Sequence, residues 1–215
     1  MKTIALADAV ALIPNGASVM IGGFMGVGTP ERLVDELVRQ RKRDLTVIAN
    51  DTAMPGRGIG KLISAGAVSK AIVSHIGTNP ETQRKMIDGA MQCDLVPQGT
   101  LIERIRARGF GLGGILTPTG VGTLVEEGKR KIAVDGVDYL LETPLRADFA
   151  LVGAFLSDYL GNLTYALTAR NFNPVIAMAA QTVIADVAHI VPVGMISPDH
   201  VVTPAVLVDY VIAHE

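Results

Sequence analysis

The sequence predicts an α/β fold: an open, mostly parallel sheet flanked by helices, with an inserted β-hairpin. Three observations lead there. Short apolar runs alternate with helical patterns through the first half of the chain. Charged residues make up 19%, below the ~25% of an average domain, as expected of strands buried on both faces. Asp135-Gly136 stands between apolar runs at 131–134 and 137–141, a two-residue hairpin signal. The low charge is equally compatible with a large subunit interface.

The elements follow in order. A short helix over 5–13 ends at Pro14-Asn15-Gly16. The strand 18–21 stops at Gly22-Gly23. The next helix has Thr29 as its expected cap and Pro30 at its first position; Leu33, Val34, Leu37 and Val38 give it one apolar face. A buried strand over 45–49 ends at Asn50-Asp51-Thr52, and another over 70–74 ends at His75-Ile76-Gly77. Asn79-Pro80 opens a helix through Met86 and Ile87. A strand over 94–97 ends at Gln98-Gly99, and 100–108 is helical. Residues 109–122 read as a Gly/Thr-rich loop. Beyond the hairpin, strands are expected near 149–155 and 208–213, around an irregular, Asn- and Gly-rich segment at 157–174. With no repeat and no linker, the simplest organisation is one domain over 1–215.

Composition narrows the function. The chain is 49% hydrophobic but 4% aromatic, with 5 Phe and no Trp, so the core must come from Val, Ile, Leu, Ala and Met. A net charge of −2 and no basic tract exclude nucleic-acid binding by charge neutralisation. With 1 Cys no internal disulfide can form, and a reducing compartment is expected. Asp8 interrupts the apolar start, and no cleavage site follows it, so no signal peptide is read. Gln181, Asp186 and His189 break the most apolar later stretch, so no membrane contact is expected. A soluble cytoplasmic protein is the expectation.

In an open parallel sheet, ligands gather outside the carboxyl ends of the strands. Gly22-Gly23, Asn50, His75 and Gln98 each follow an apolar strand, so neighbouring parallel strands would bring them to one edge. The turn Gly22-Gly23-Phe24-Met25-Gly26-Val27-Gly28 leads from strand into helix. Glycines admit a ligand close to the backbone, and the helix start behind them favours an anion. The turn therefore reads as a cradle for a phosphate, carboxylate or oxyanion. The plainer alternative is a tight turn that needs positive φ. Asn50 and Gln98 suit binding a carbonyl or carboxylate, or equally forming turns and caps.

Familiar motifs fail. Gly109–Gly114 fits G-x-G-x-x-G, yet it follows a helix and precedes none, so the dinucleotide context is absent. These glycines are expected either as a second wall of the site or as a surface loop. No P-loop and no G-x-S-x-G occurs. Cys93 reads as buried and inert. His75, His189, His200 and His214 lack metal-ligand spacing, and no metal is expected. His75 is best placed, with a structural role as the plainer reading. Glu126-Glu127 reads as a solvated face. Binding groups are plentiful and nucleophiles are not, which points to a partner that completes the site.

The run from Asn15 to Pro30, with Gly22-Gly23-Phe24 at its centre, resembles the glycine signature of the α subunits of family I CoA-transferases. The likeness continues through Ala49-Asn50-Asp51-Thr52-Ala53, His75-Ile76-Gly77-Thr78-Asn79-Pro80, Pro97-Gln98-Gly99-Thr100-Leu101, Gly113-Gly114-Ile115-Leu116-Thr117-Pro118 and Ala169-Arg170-Asn171-Phe172-Asn173-Pro174. It covers nearly the whole chain and is greatest to the short-chain acetate/acetoacetate branch. Thr203-Pro204-Ala205 departs from the family's usual Thr-Pro-Gly, which leaves that local turn less defined.

The resemblance implies a CoA-transferase/NagB-RpiA-like fold and transfer of CoA from an acyl-CoA to a short-chain carboxylate. It implies a glutamate nucleophile in a Ser-Glu-Asn-Gly motif on a β subunit, absent from this chain, so no catalytic residue is expected here. The partner would be that β subunit, in an α2β2 or larger assembly. CoA would be a substrate, with no bound cofactor. CoA or substrate contacts are implied at Gly22–Gly28, Asn50, Gln98, Gly113 and Gly114, with oxyanion donors among the amides near Gly22-Gly23 or Gly113-Gly114. Read without the resemblance, a sugar-phosphate isomerase-like enzyme or a non-catalytic acyl-CoA-binding module remains open.

Overall fold

The structure is a computed structural model that describes residues 2–212. Its main sheet contains β1 (Lys2–Ile4), β2 (Ser18–Ile21), β3 (Leu45–Ile48), β4 (Val68–Val73), β5 (Gln92–Leu95), β9 (Ala147–Asp158), β10 (Leu163–Thr164), β11 (Ala180–Val191) and β12 (Tyr210–Ile212). The order is β1-β12-β11-β9-β2-β3-β4-β5, and every neighbouring pair on that path is parallel. β10 folds back antiparallel on β9. A second, antiparallel sheet, β6 (Ile115–Thr117), β8 (Val137–Glu142) and β7 (Lys131–Val134), contains the hairpin. Its turn residues Asp135 and Gly136 both have positive φ, +51° and +77°, as a type I′ turn requires.

The helices are α1 (Leu6–Ala11), α2 (Glu31–Arg39), α3 (Gly60–Ser64), α4 (Pro80–Ile87), α5 (Gln98–Gly109) and α6 (Asn173–Ile176). The chain moves outward from β2 to β5 with α2, α3 and α4 on one face, where α1 also packs. It returns from β5 to β9, then moves the other way through β11 to β12, with α5 and α6 on the opposite face. Opposite directions of travel on opposite faces are what right-handed crossovers produce. The connections diverge between β2 and β9, the switch point where α/β sheets open a crevice.

Both faces are buried, so Val19, Met20 and Ile21 are successive core residues on β2. The core is aliphatic as the composition requires; Phe172 is its one aromatic ring among the described residues. In α4, Asn79 caps as the sequence indicates, its side chain accepting from the Glu81 and Thr82 amides. In α2 the cap expectation is corrected. Pro30 occupies the cap position without a side-chain bond, and Asp186 on β11 accepts from the Arg32 amide at 3.3 Å instead.

Other expectations shift. β11 was not foreseen, because Gln181, Asp186 and His189 interrupt its apolar run. β6 lies inside the expected loop. β5 begins at Gln92 and α5 at Gln98, so Gln98 belongs to a first helical turn rather than a loop. The last strand is described as far as Ile212; Ala213 and His214 lie outside the described residues.

Candidate functional site

Parallel register brings the carboxyl ends of β2, β3, β4 and β5 side by side, and an isolated bridge joins Asp51 to His75. A cleft of about 450 Å³ opens there, lined by Phe24, Met25, Asn50, Asp51, Ser74, His75 and Gln98. The strand-end positions singled out in the sequence thus share one edge. Asn50 and Asp51 are buried, whereas Phe24, His75 and Gln98 stand exposed at the rim.

The polar groups form one network. Gln98 Nε2 donates to Asn50 Oδ1 at 2.6 Å, and Ser74 Oγ donates to the Asn50 carbonyl at 2.7 Å. Asn50 Nδ2 donates to Asp51 Oδ2 at 2.7 Å. Asp51 also accepts from Met25 N at 2.9 Å and from Ala53 N at 2.7 Å. Among the described residues Asp51 is the one carboxylate lining the cleft, and no lysine lines it. The Asp51 carboxylate is engaged by donors at both oxygens, so it is a scaffold and not an available nucleophile.

The glycine turn is built differently from the cradle expected of it. Phe24 N and Val27 O are 3.0 Å apart, and Val27 N reaches Phe24 O at 2.9 Å. Between them Met25 and Gly26 have φ of +51° and +86°, the geometry of a type I′ turn. A methionine there is strained by about 1–2 kcal/mol, and the Asp51 bond to its amide helps hold it. Gly22 N donates to Leu151 O at 3.0 Å and Gly23 N to Asn171 Oδ1 at 3.1 Å. The amides expected to meet an oxyanion at Gly22-Gly23 are therefore occupied within the chain. The Gly26 and Gly28 amides have no such partner among the described residues.

The glycines at 22 and 28 serve packing. A Cβ on Gly22 would stand 1.8 Å from Asn173 Oδ1, and one on Gly28 2.6 Å from Ala169 O. Asn173, fully buried, donates to Gly28 O and Ala169 O and accepts from Gly153 N, at 2.8–2.9 Å. This ties the 169–174 motif to the turn. On the far side of the turn, beside β9 and β11 and the start of α2, a second cleft of about 350 Å³ is lined mainly by small residues and includes the Arg32–Asp186 ion pair.

Other candidates fall elsewhere. Gly113 and Gly114 do not line the first cleft; a Cβ on Gly114 would meet Glu142 O at the end of β8. Burial, then neighbouring Asp94, pushes the Cys93 thiol up, away from thiolate chemistry. Glu126 accepts from Gly122 N and pairs with Lys131 at 2.8 Å, which hold its carboxyl below the usual range. The His189 ring meets Phe155 edge-on at 5.6 Å. No group of three His, Cys, Asp or Glu gathers to hold a metal among the described residues, and no helix among them is long and apolar enough to cross a membrane. Sequence reasoning passed over Asp51 and Ser74 as site residues, although Asp51 was visible beside Asn50 at the strand end.

Comparison with known proteins agrees with this architecture. The "Coenzyme A transferase" family matches residues 3–214. The chain is 56% identical to the acetate CoA-transferase subunit alpha of Escherichia coli K12, over all of this chain and 97% of that protein. It is 47% identical to the acetoacetyl-CoA:acetate/butyrate CoA transferase alpha subunit of Clostridium acetobutylicum, over 98% of this chain and 97% of that one. An acyl-CoA transferase apoenzyme from Escherichia coli O157:H7 superposes with a TM-score of 0.85 at 25% identity, over 99% of this chain but only 46% of the other.

Proposed function

The chain belongs to the coenzyme A transferase family, and from that premise we propose that it is the α half of a two-chain enzyme that moves CoA between short-chain acids. The observation that carries the proposal is the state of the cleft: it holds the oriented side-chain amides of Asn50 and Gln98, and its single carboxylate among the described residues, Asp51, is held by three donors. The attacking carboxylate must then enter from another chain. Length supports this. The chain covers 97% of a relative named subunit alpha and less than half of a related transferase chain.

In the proposed reaction a glutamate of the β subunit attacks the thioester carbonyl and forms an acyl anhydride, releasing CoA thiolate. The thiolate attacks the glutamyl carbonyl of the anhydride, which expels the first acid and leaves a glutamyl–CoA thioester. The acceptor carboxylate then runs both steps in reverse. CoA is a substrate throughout and no cofactor is needed. Each attack develops an oxyanion that oriented N–H donors stabilise. This chain supplies Phe24 and Met25 on one wall and the side-chain amides of Asn50 and Gln98; Gly28 lines the neighbouring cleft instead.

Co-expression with the β chain tests the proposal. Exchange between acetyl-CoA and acetoacetate or butyrate is expected from the complex and not from this chain alone. Full turnover by the single chain would refute it.

A further inference from the structure

Three polar side chains in the cleft form a relay whose direction is set at its buried end. Asp51 is 3% exposed. Its Oδ2 accepts from Met25 N at 2.9 Å and Asn50 Nδ2 at 2.7 Å, and its Oδ1 from Ala53 N at 2.7 Å. With each of its oxygens already accepting from a backbone N–H, Asp51 presents acceptors to Asn50, so Asn50 turns its NH2 group toward Asp51. Reversed, the Asn50 carbonyl oxygen would face a carboxylate oxygen in a buried setting, where such a mismatch is most costly. Asn50 Oδ1 therefore points the other way and accepts from Gln98 Nε2 at 2.6 Å. Gln98, exposed on the first turn of α5, is held by its NH2 group. Its Oε1 and its second N–H are left for the cleft.

We propose that Asp51 is a positioning residue for Gln98: acting through Asn50, it fixes which atoms of the Gln98 amide the cleft presents to a bound carboxyl or acyl group. The identity of that group rests on the CoA-transferase reading; the relay itself does not. Among the described residues His75 is the other titratable side chain lining the cleft.

The test uses the complex of this chain with its β subunit. In Gln98→Glu, only a protonated carboxyl can donate to Asn50 Oδ1. While Asp51 holds Asn50 in place, the introduced carboxyl is expected to titrate about one pH unit or more above the ordinary ~4.3. A ¹³C-carboxyl glutamate difference spectrum against the wild-type complex reads this directly. Adding Asp51→Asn frees Asn50 to reverse and donate to the introduced carboxyl, and the titration should return to the ordinary range. Transfer activity follows: Gln98→Glu loses about tenfold in kcat/KM at pH 8 and recovers as pH falls through the raised midpoint. The added Asp51→Asn removes that pH dependence. An unshifted carboxyl at position 98 overturns the proposal, and so does a shift that persists after Asp51→Asn. The first arm changes only an exposed side chain, so an unshifted carboxyl there overturns the proposal even if Asp51→Asn does not fold. A wild-type complex that transfers no CoA, while the carboxyl at position 98 of the variant titrates high, would leave the relay standing and remove the transferase reading.

Discussion

Gly22 has room for a hydrogen atom and nothing larger, because Asn173 Oδ1 would stand 1.8 Å from its Cβ. Gly22→Ala is therefore expected to destabilise the chain by about 3 kcal/mol, combining overpacking with lost hydrogen bonds. Asn173→Ala removes the obstacle but strands Gly153 N, Gly28 O and Ala169 O, for a comparable loss. The two changes compete for the same space, so the double variant should cost clearly less than the sum in a denaturation cycle. Additive losses would show that the contact is not what excludes a side chain at position 22. Gly23 differs in kind: φ is +125° and a Cβ would stand 2.1 Å from Thr29 Oγ1. Gly23→Val strains the backbone as well as the space, so loss of activity in it does not by itself report a ligand contact.

Strand β9 is fastened at both ends by carboxylates. At its start Asp148 accepts from Ser18 Oγ at 2.7 Å and Ser18 N at 2.9 Å, bonds that hold its carboxyl below the ordinary range. At its end burial pushes Asp158 up, but bonds from the Asn162 side chain and the amides of Asn162, Leu160 and Gly161 outweigh it and leave the carboxyl low. A carboxyl depressed in the folded state contributes stability above its unfolded value, ~3.9, and loses it as pH falls through the folded one. The Tm should hold from pH 7 to about 5 and fall below about 4, less steeply in Asp148→Asn. A Tm that fell equally steeply in that variant would remove Asp148 from the cause. At this scale the sequence was readable where signals are local. Asn79-Pro80 announced α4, Asp135-Gly136 the hairpin, and apolar runs followed by polar residues located Asn50 and Gln98. β11 escaped because its polar interruptions answer distant partners: Asp186 meets Arg32, 154 positions away. The glycine turn was located by its local pattern, but the state of its Gly22-Gly23 end was not legible, since Asn171, which takes the Gly23 amide, and Asn173, which fills the space over Gly22, lie almost 150 positions downstream.

The whole sheet depends on its last strand. β12 lies between β11 and β1 and pairs with both, and Val211 and Ile212 are fully buried. Deleting residues from 208 onward would strip β1 of its only strand neighbour and open a long edge on β11. Such a truncation is expected to lose cooperative thermal unfolding and become rapidly susceptible to protease; a sharp transition near the parent Tm would contradict this. The parallel pairing of β1 with β12 also sorts the molecule's two ends. A segment joined ahead of Lys2 departs from the rim opposite the cleft. One joined after Ile212 sets out from the cleft's own rim, three strand spacings from β2, about 14 Å. For a β subunit that reaches the cleft as proposed, a tether fusing the two chains into one polypeptide has the shorter route when it leaves from the end of β12.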